Sequence, residues 1–288
     1  MANLRIKQFS VYSSYLKPFI AAWLMFAAGL SAHAADAPLM SIKPLAMLYQ
    51  ALSADSASVP EVLLSGEKNP HDYQLSVEDI RRLQSSTAFY YFGSEANLSK
   101  LSRRLSNDKW HQLKGNEAHA WLSHKALLKL IPQLSKMMQK QQPELAKHIQ
   151  QREKSLLRQL QQRFDYWQKQ FGPYANEAIL LGHTAFEVFV KDLGLKHVEI
   201  YRSGHSHGHK ADGMHDLISL QKEIAAGDIR CAVEEPDISF AKLQARHPSL
   251  ALIQLQPMAQ SIELEAKAFI HYIDTNAAAI YQCLKGAS

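Results

Sequence analysis

The stretch Pro143–Phe171, PELAKHIQQREKSLLRQLQQRFDYWQKQF, decides how the rest of the chain is arranged. It contains no glycine, and its single proline stands at the start, where proline is compatible with the first helical turn. Apolar residues recur at steps of three, four or seven, at Leu145, Ile149, Leu156, Leu160, Phe164, Trp167 and Phe171. This spacing predicts one helix, roughly 40 Å long, with a narrow apolar stripe.

Strand and helix patterns alternate on both sides of this long helix. A helix of this length with so narrow a stripe usually lies across the outside of other structure. We therefore expect a strut that joins two lobes, and a coiled-coil arm is the alternative.

The first 34 residues have the pattern of a secretory signal peptide. Arg5, Lys7 and Lys17 precede the apolar run 19–30, and Ala32-His33-Ala34 follows as the cleavage pattern. The run is short for a membrane-spanning helix, and an uncleaved anchor is the alternative. The mature protein is expected to be free in an exported compartment, most simply a periplasm.

Composition excludes one class of partner. The net charge is +5, and cleavage after Ala34 removes three Lys or Arg and no acidic residue, which leaves +2. The sequence has no basic block and no interleaving of basic with aromatic residues, so nucleic acid is not an expected partner.

Both cysteines, Cys231 and Cys283, lie in the mature part. An exported protein favours a disulfide, which would tie a late strand to the final helix. Two buried free thiols are the alternative.

The alternation predicts the fold class. In residues 35–141 we expect strands at 39–42, 61–64, 88–92 and 110–113, with helices at 45–52, 77–83, 97–105 and 121–140. In residues 173–288 we expect strands at 178–182, 197–201, 231–233 and 250–255, with helices at 185–193, 214–226, 240–247 and 262–283. This is an α/β fold of two similar lobes with mostly parallel sheets, joined by the linking helix 142–172.

Three histidines occupy places where such a fold binds ligands, beyond the ends of strands. His71 and His119 lie in loops of the first lobe, and His183 ends the first strand of the second lobe. If they converge on the cleft between the lobes, they offer three neutral imidazoles to zinc. The scattered histidines are expected to be packing or surface residues: His111, His124, His148, His197, His247 and His271.

The residues around these histidines resemble a known family. Asn69–Leu75 (NPHDYQL), His119–Ser123 (HAWLS) and Gly182–Phe186 (GHTAF) are similar, in order, to the three ligand motifs of metal-specific substrate-binding proteins of ABC importers. Ser41–Leu45 is similar to the opening strand of that family, the cluster A-I or TroA-like proteins. Cys231–Pro236 together with Cys283–Gly286 resembles the disulfide and Glu-Pro segment of its zinc-type, ZnuA-like members.

The resemblance implies a periplasmic protein, a monomer without enzymatic activity, that captures Zn²⁺ and delivers it for uptake. The ligands it implies are His71, His119 and His183, in the cleft between two lobes joined by a rigid helix. The partners it implies are an ABC permease and its ATPase, with peripheral docking at the inner membrane only.

The chain departs from the family in two places. Gln256 stands where many relatives carry an aspartate ligand, so the fourth ligand is water or a carboxylate such as Glu235 or Glu67. The family's acidic, His-rich loop is absent from the first lobe, and a glycine- and histidine-rich segment stands in the second. Its candidate auxiliary ligands are His205, His207, His209 and His215, and the alternative is a solvated loop that binds divalent ions only adventitiously.

Two other functions stay open at this point. A periplasmic zinc buffer, chaperone or sensor would need no transporter. A zinc hydrolase also uses three histidines and water, but no general base or nucleophile motif accompanies these histidines.

Overall fold

The structure is a computed structural model of the chain. It describes residues 37–53, 59–64, 73–93, 98, 100–101, 108–115, 119–182, 184–199, 213–235 and 238–286.

The first lobe is built on a four-stranded parallel sheet. Its strands are β1 (Leu39–Ile42), β2 (Glu61–Leu64), β3 (Phe89–Phe92) and β4 (Trp110–Leu113), in the order β2-β1-β3-β4. Helix α1 (Lys43–Leu52) follows β1 directly, with Pro44 in its first turn, and α2 is Val77–Ser85. The predicted helix 97–105 lies largely outside the described residues.

Helix α2 begins at the predicted residue, Val77, and a capping box fixes this start. The Ser76 hydroxyl accepts the Asp79 backbone N–H at 3.1 Å, and the Asp79 carboxylate accepts the Ser76 backbone N–H at 2.8 Å. This reciprocal pair satisfies two backbone donors that a helix N-terminus otherwise leaves unpaired.

Two antiparallel helices connect the lobes. Helix α3 (His124–Gln141) begins three residues later than predicted, because Ala120–Leu122 forms a 3₁₀ turn and Ser123 caps the α-helix. Helix α4 (Ala146–Phe171) is the predicted strut, entered through a 3₁₀ turn at Pro143–Leu145. Its stripe is buried as expected, at Ile149, Leu156, Leu160, Phe164, Trp167 and Phe171.

The second lobe repeats the topology of the first. Its strands are β5 (Ala178–Leu181), β6 (Lys196–Glu199), β7 (Ile229–Glu234) and β8 (Ala251–Gln254), parallel and in the order β6-β5-β7-β8. The helices are α5 (Glu187–Asp192), α6 (Gly213–Ala226), α7 (Ala241–Gln244) and α8 (Ala268–Gly286).

The predictions for the last two helices were too long. Helix α8 begins at Ala268 and not at Ile262, because two turns precede it: Ala259 N–H donates to Gln256 O and Ile262 N–H to Ala259 O. Ala259 has a φ of 55°, which an α-helix does not contain. Helix α7 spans four residues, where the sequence predicted 240–247.

One hydrophobic core runs through both lobes. It joins β1 and β3 of the first sheet, the buried stripe of α4, β5 and β7 of the second sheet, and α8. A smaller cluster, which includes Leu180, Ile224 and Phe240, lies apart from it in the second lobe. The strut is therefore part of the core and not a rod laid outside it, so the two lobes are packed as one body.

Polar contacts reinforce this shared core. Asp274 of α8 accepts from Arg163 Nε at 2.7 Å and from Trp167 Nε1 at 2.8 Å, both on α4. The predicted disulfide is present between Cys231 of β7 and Cys283 of α8, whose Cα atoms are 5.9 Å apart. Within the described part of the chain, no helix is both long enough and apolar enough to cross a membrane.

Candidate metal site

The strand ends of the two lobes face each other. Lys43, which follows β1, donates from Nζ to Gln260 O at 3.0 Å. Trp121, in the turn after β4, donates from Nε1 to Pro257 O, just beyond β8. These two contacts join the segments that follow the carboxyl-terminal edges of the sheets, which is where parallel α/β sheets bind ligands.

His119 is the predicted ligand whose position the structure describes. It is 5% exposed and has φ 57° and ψ 34°, the left-handed helical region. That conformation is uncommon for residues other than glycine, and strained residues of this kind concentrate at functional sites. Its carbonyl accepts the Leu122 N–H at 2.9 Å, and its ring meets the Trp121 ring edge-on with centroids 5.4 Å apart.

Trp121 ties the His119 turn to the second lobe. Its ring is buried and packs against Phe92, with centroids 5.5 Å apart, while its indole N–H donates to the Pro257 carbonyl at 2.9 Å. The Tyr272 hydroxyl of α8 donates to the same oxygen at 2.8 Å. Tyr272 was not predicted as part of this region, because nothing in its local sequence distinguishes it.

Glu235 is a buried carboxylate at the end of β7, 8% exposed. Its backbone exchanges two hydrogen bonds with Ile238, with Ile238 N–H donating at 2.9 Å and Glu235 N–H at 3.3 Å. Burial raises the pKa of the Tyr272 phenol well above its usual 10, and the Glu235 charge adds to that rise. The phenol therefore stays protonated and keeps donating to Pro257.

Gln256 uses its side-chain oxygen within its own segment. Oε1 accepts the Ser261 N–H at 2.8 Å, and the Gln256 carbonyl accepts the Ala259 N–H at 3.0 Å. An amide oxygen committed to a turn, and a poor zinc ligand in any case, does not replace an aspartate.

The other predicted ligands fall on residues that the structure does not describe. This holds for His71, His183, Glu67, His205, His207 and His209; the backbone of His215 lies in α6, without a described side chain. Among the residues that are described, no three His, Cys, Asp or Glu side chains come together as a metal cluster.

The segment before His183 is nevertheless held tightly. At Gly182, an added Cβ would collide with Ile238 Cγ2 and approach Phe240 Cζ at 3.1 Å. Immediately after His183, Ala185 and Phe186 are buried. The chain on either side of this histidine is thus fixed by packing.

A third contact between the lobes lies at the start of α3. The His124 backbone N–H donates to Asp192 Oδ2 of α5 at 2.6 Å, and the His124 ring stacks on Phe164 of α4 with centroids 4.3 Å apart. Burial lowers the pKa of His124, although the nearby carboxylates of Asp192 and Asp165 act in the opposite direction. His124 is therefore a packing residue, as the sequence predicted.

The chain is similar in sequence and in fold to known metal-binding proteins. The chain is 22% identical over 290 residues to the high-affinity zinc uptake system protein ZnuA of Haemophilus ducreyi, covering 85% of this chain and 92% of that protein. Its fold is similar to a zinc-bound ZnuA deletion mutant, with a TM-score of 0.69 and 15% identity over 85% of this chain and 98% of the other. It is also similar to FpvC of Pseudomonas aeruginosa in complex with Mn²⁺, with a TM-score of 0.65 and 16% identity over 88% and 100%.

The family comparison covers most of the chain. Residues 39–283 match the model of the family described as the zinc-uptake complex component A, periplasmic. The match runs from the first residue of β1 to the second cysteine of the disulfide, so it includes both lobes and the strut. This chain belongs to the periplasmic zinc-uptake component A (ZnuA) family.

Proposed function

We propose that this protein captures Zn²⁺ in the cleft between its lobes and delivers it to an ABC permease and its ATPase for uptake. The observation that carries the proposal is His119, a buried histidine in a strained conformation at the strand ends. Its turn is bonded to the opposite lobe through Trp121. Family membership supports the same function.

The proposed ligands are His71, His119 and His183. Each must be neutral to bind, so zinc affinity should fall as the pH drops below about 6.5. For the fourth position we propose Glu235 or Glu67, with water as the remaining option. The burial of Glu235 favours it, because a buried carboxylate is stabilised by a cation.

Zinc is the metal that this ligand set favours. Three imidazoles form a borderline-soft set that suits zinc better than manganese, which prefers oxygen ligands. Structural relatives include a zinc-bound ZnuA and FpvC with Mn²⁺ or Ni²⁺, so the fold itself accommodates several divalent ions.

The same proposal includes the cellular location and the oligomeric state of the protein. Residues 1–34 act as a signal peptide, the mature chain works as a periplasmic monomer, and it meets the inner membrane by docking on the permease. The segment 204–215 serves as a weaker auxiliary zinc site. A binding protein of this kind has no enzymatic activity.

A zinc titration against a competing chelator tests the proposal. We would compare the mature protein with a variant lacking His71, His119 and His183, and with one lacking His205, His207 and His209. We expect one tight site that is lost only in the first variant. If tight binding were instead lost only in the second variant, the cleft site would be wrong. A zinc buffer or sensor would then become the better function.

A further inference from the structure

The outer surface of α3 and α4 is strongly basic, although the sequence contains no basic run. Residues 124–171 hold ten Lys and Arg against three Asp and Glu, a net charge of +7 within a mature chain of about +2. Two helices and one turn therefore carry an excess of positive charge that the rest of the mature chain offsets.

Helical spacing gathers these charges into two stripes. On α3, Lys125, Lys129, Lys136 and Lys140 are exposed at steps of four, seven and four, which confines them to roughly 60° of the helix surface. The stripe lies opposite the buried residues of the same helix, which include Leu127, Leu134 and Met138.

Helix α4 repeats the arrangement. Lys147, Lys154 and Arg158 are exposed at steps of seven and four, within roughly 40° of one another and opposite the buried stripe of that helix. Because α3 and α4 pack against each other and bury their apolar sides in one core, we expect both stripes to lie on the outer side of this helix pair. We call this surface the basic face.

The stability of the helices does not account for the basic face. Helix α3 contains no acidic residue, so its lysines have no partners for pairs one turn apart. Lys125 even stands in the first turn, where the helix dipole disfavours a cation. Among the described ion pairs, none involves a lysine or arginine of the basic face. The acidic residues of the segment are Glu144 in the turn, Glu153 on the flank and Asp165, which accepts from Gln161.

The composition of the face indicates the kind of partner. Protein interfaces are enriched in aromatic residues and arginine and depleted in lysine, whereas six of the seven charges named above are lysines. Leu128 is the one exposed large hydrophobic residue on α3. Lysine side chains are flexible point charges, which suit a diffuse layer of negative charge better than a shaped protein site.

We propose that the basic face adsorbs reversibly to the anionic phospholipid headgroups of a membrane. Attraction would be electrostatic, without insertion, because no apolar ridge accompanies the lysines. Weak adsorption would keep a protein that serves a membrane permease close to the bilayer. The protein would then reach the permease by diffusing along the membrane and not through the whole compartment. The adsorption itself does not depend on zinc.

Vesicle sedimentation tests this inference. The protein, purified after export and freed of metal, is mixed with vesicles of phosphatidylcholine alone or with added phosphatidylglycerol. We expect binding only to the anionic vesicles, strong at about 0.02 M salt and lost near about 0.5 M, because salt screens exposed charges.

Matched variants locate the contact. Changing Lys125, Lys129, Lys136 and Lys140 to Gln should lower the vesicle partition coefficient at least about tenfold more than the same change at four exposed lysines elsewhere. Changing the α3 lysines to Arg keeps the charge and should keep the binding. The four control lysines are Lys222, Lys242, Lys267 and Lys285.

Three results would overturn the inference. The first is equal loss in the α3 and control variants, which would make the effect one of net charge alone. The second is absence of binding to anionic vesicles. The third is binding to soluble polyglutamate without binding to vesicles, which would assign the face to an acidic protein. Unchanged zinc affinity in every variant would separate these outcomes from any failure of the proposed function.

Discussion

The hydrogen bond from Trp121 to Pro257 makes the geometry of a proposed ligand in one lobe depend on the other lobe. Trp121→Phe keeps most of the packing but removes the donor, and Tyr272→Phe removes the second donor to the same carbonyl. We expect each change to weaken zinc binding by up to about tenfold, since a buried hydrogen bond contributes about 0.5–1.5 kcal/mol. Chelator competition measures the effect.

Tyr281→Phe is the matched control for these two variants. Tyr281 lies in an aromatic cluster with Trp167, Phe171 and Tyr174, and no described hydrogen bond uses its hydroxyl. Loss of affinity in all three variants alike would point to general destabilisation and contradict a positioning role for the Pro257 contacts.

Gly182 holds the chain directly before His183. Gly182→Ala should weaken zinc binding strongly, because its Cβ would collide with Ile238 and shift the segment that carries the proposed ligand. Gly172→Ala is the control, since no atom lies within 4 Å of its added Cβ. Adding Ile238→Ala to Gly182→Ala should restore part of the affinity, and a double variant no better than the single one would argue against the steric explanation.

Partly buried histidines give the metal-free protein a defined pH dependence. Burial lowers the pKa of His111, His124 and His197, so each stays neutral in the folded chain while the unfolded chain takes up the proton below about pH 6.5. The stabilisation that these neutral histidines provide should therefore be fully present above that pH. It should be lost as the pH drops through it.

His124→Phe should reduce this dependence, since it keeps the stacking on Phe164 and removes one titrating group that faces Asp192 and Asp165. Burial also raises the pKa of Asp192, which is present in the unmodified protein and in both variants. Melting temperatures of the metal-free protein at about pH 7.5 and about pH 5.5 provide the measurement. The exposed His271→Gln should leave the difference between the two temperatures unchanged, and the same change in both variants would refute the assignment.

At the scale of elements, the disulfide ties the third strand of the second lobe to its last helix. It closes a loop with a sequence separation of 52, which in the chain-entropy model corresponds to about 4 kcal/mol. Replacing both cysteines by Ala should lower the melting temperature markedly while zinc affinity changes little, because neither sulfur belongs to the proposed site. Reduction of the unmodified protein should have the same effect, and equal melting temperatures with and without the bond would refute the estimate.

The elements were largely predictable from the sequence because their signals are local. The alternation of apolar strands with capped helices places all eight strands and the strut within a few residues. The start of α8 was not predictable in this way: Ile262 and Leu264 have helical spacing, but they pack on the core from an irregular segment. Tertiary packing there overrides the periodicity.

The candidate site was predictable only in part. Resemblance to the family's motifs identified His119, but no local pattern indicates its left-handed conformation. The bond from Trp121 to the other lobe joins residues more than a hundred positions apart, which the sequence does not pair. The basic face could have been found from sequence, since the steps of four and seven are visible there. A search for contiguous basic runs overlooks residues that only a helix brings together.

For the whole molecule, the continuous core and the strut predict limited motion between the lobes. The core passes from the first sheet through α4 to α8, so wide opening would expose apolar surface from both lobes. We expect closely similar radii of gyration for the metal-free and zinc-loaded protein in solution X-ray scattering. A large difference would contradict this and imply a hinge within the linking helices.

The position of α8 also constrains how the chain can be made. This helix packs on α1 of the first lobe as well as on α4, yet residues 268–286 are synthesised only after the strands of both sheets. Until these residues are present, the part of α1 that packs on α8 stays uncovered, so the first lobe cannot complete its packing ahead of the second. We expect a chain truncated before Ala268 to be degraded by proteases. Its first lobe should not persist as a separately folded unit.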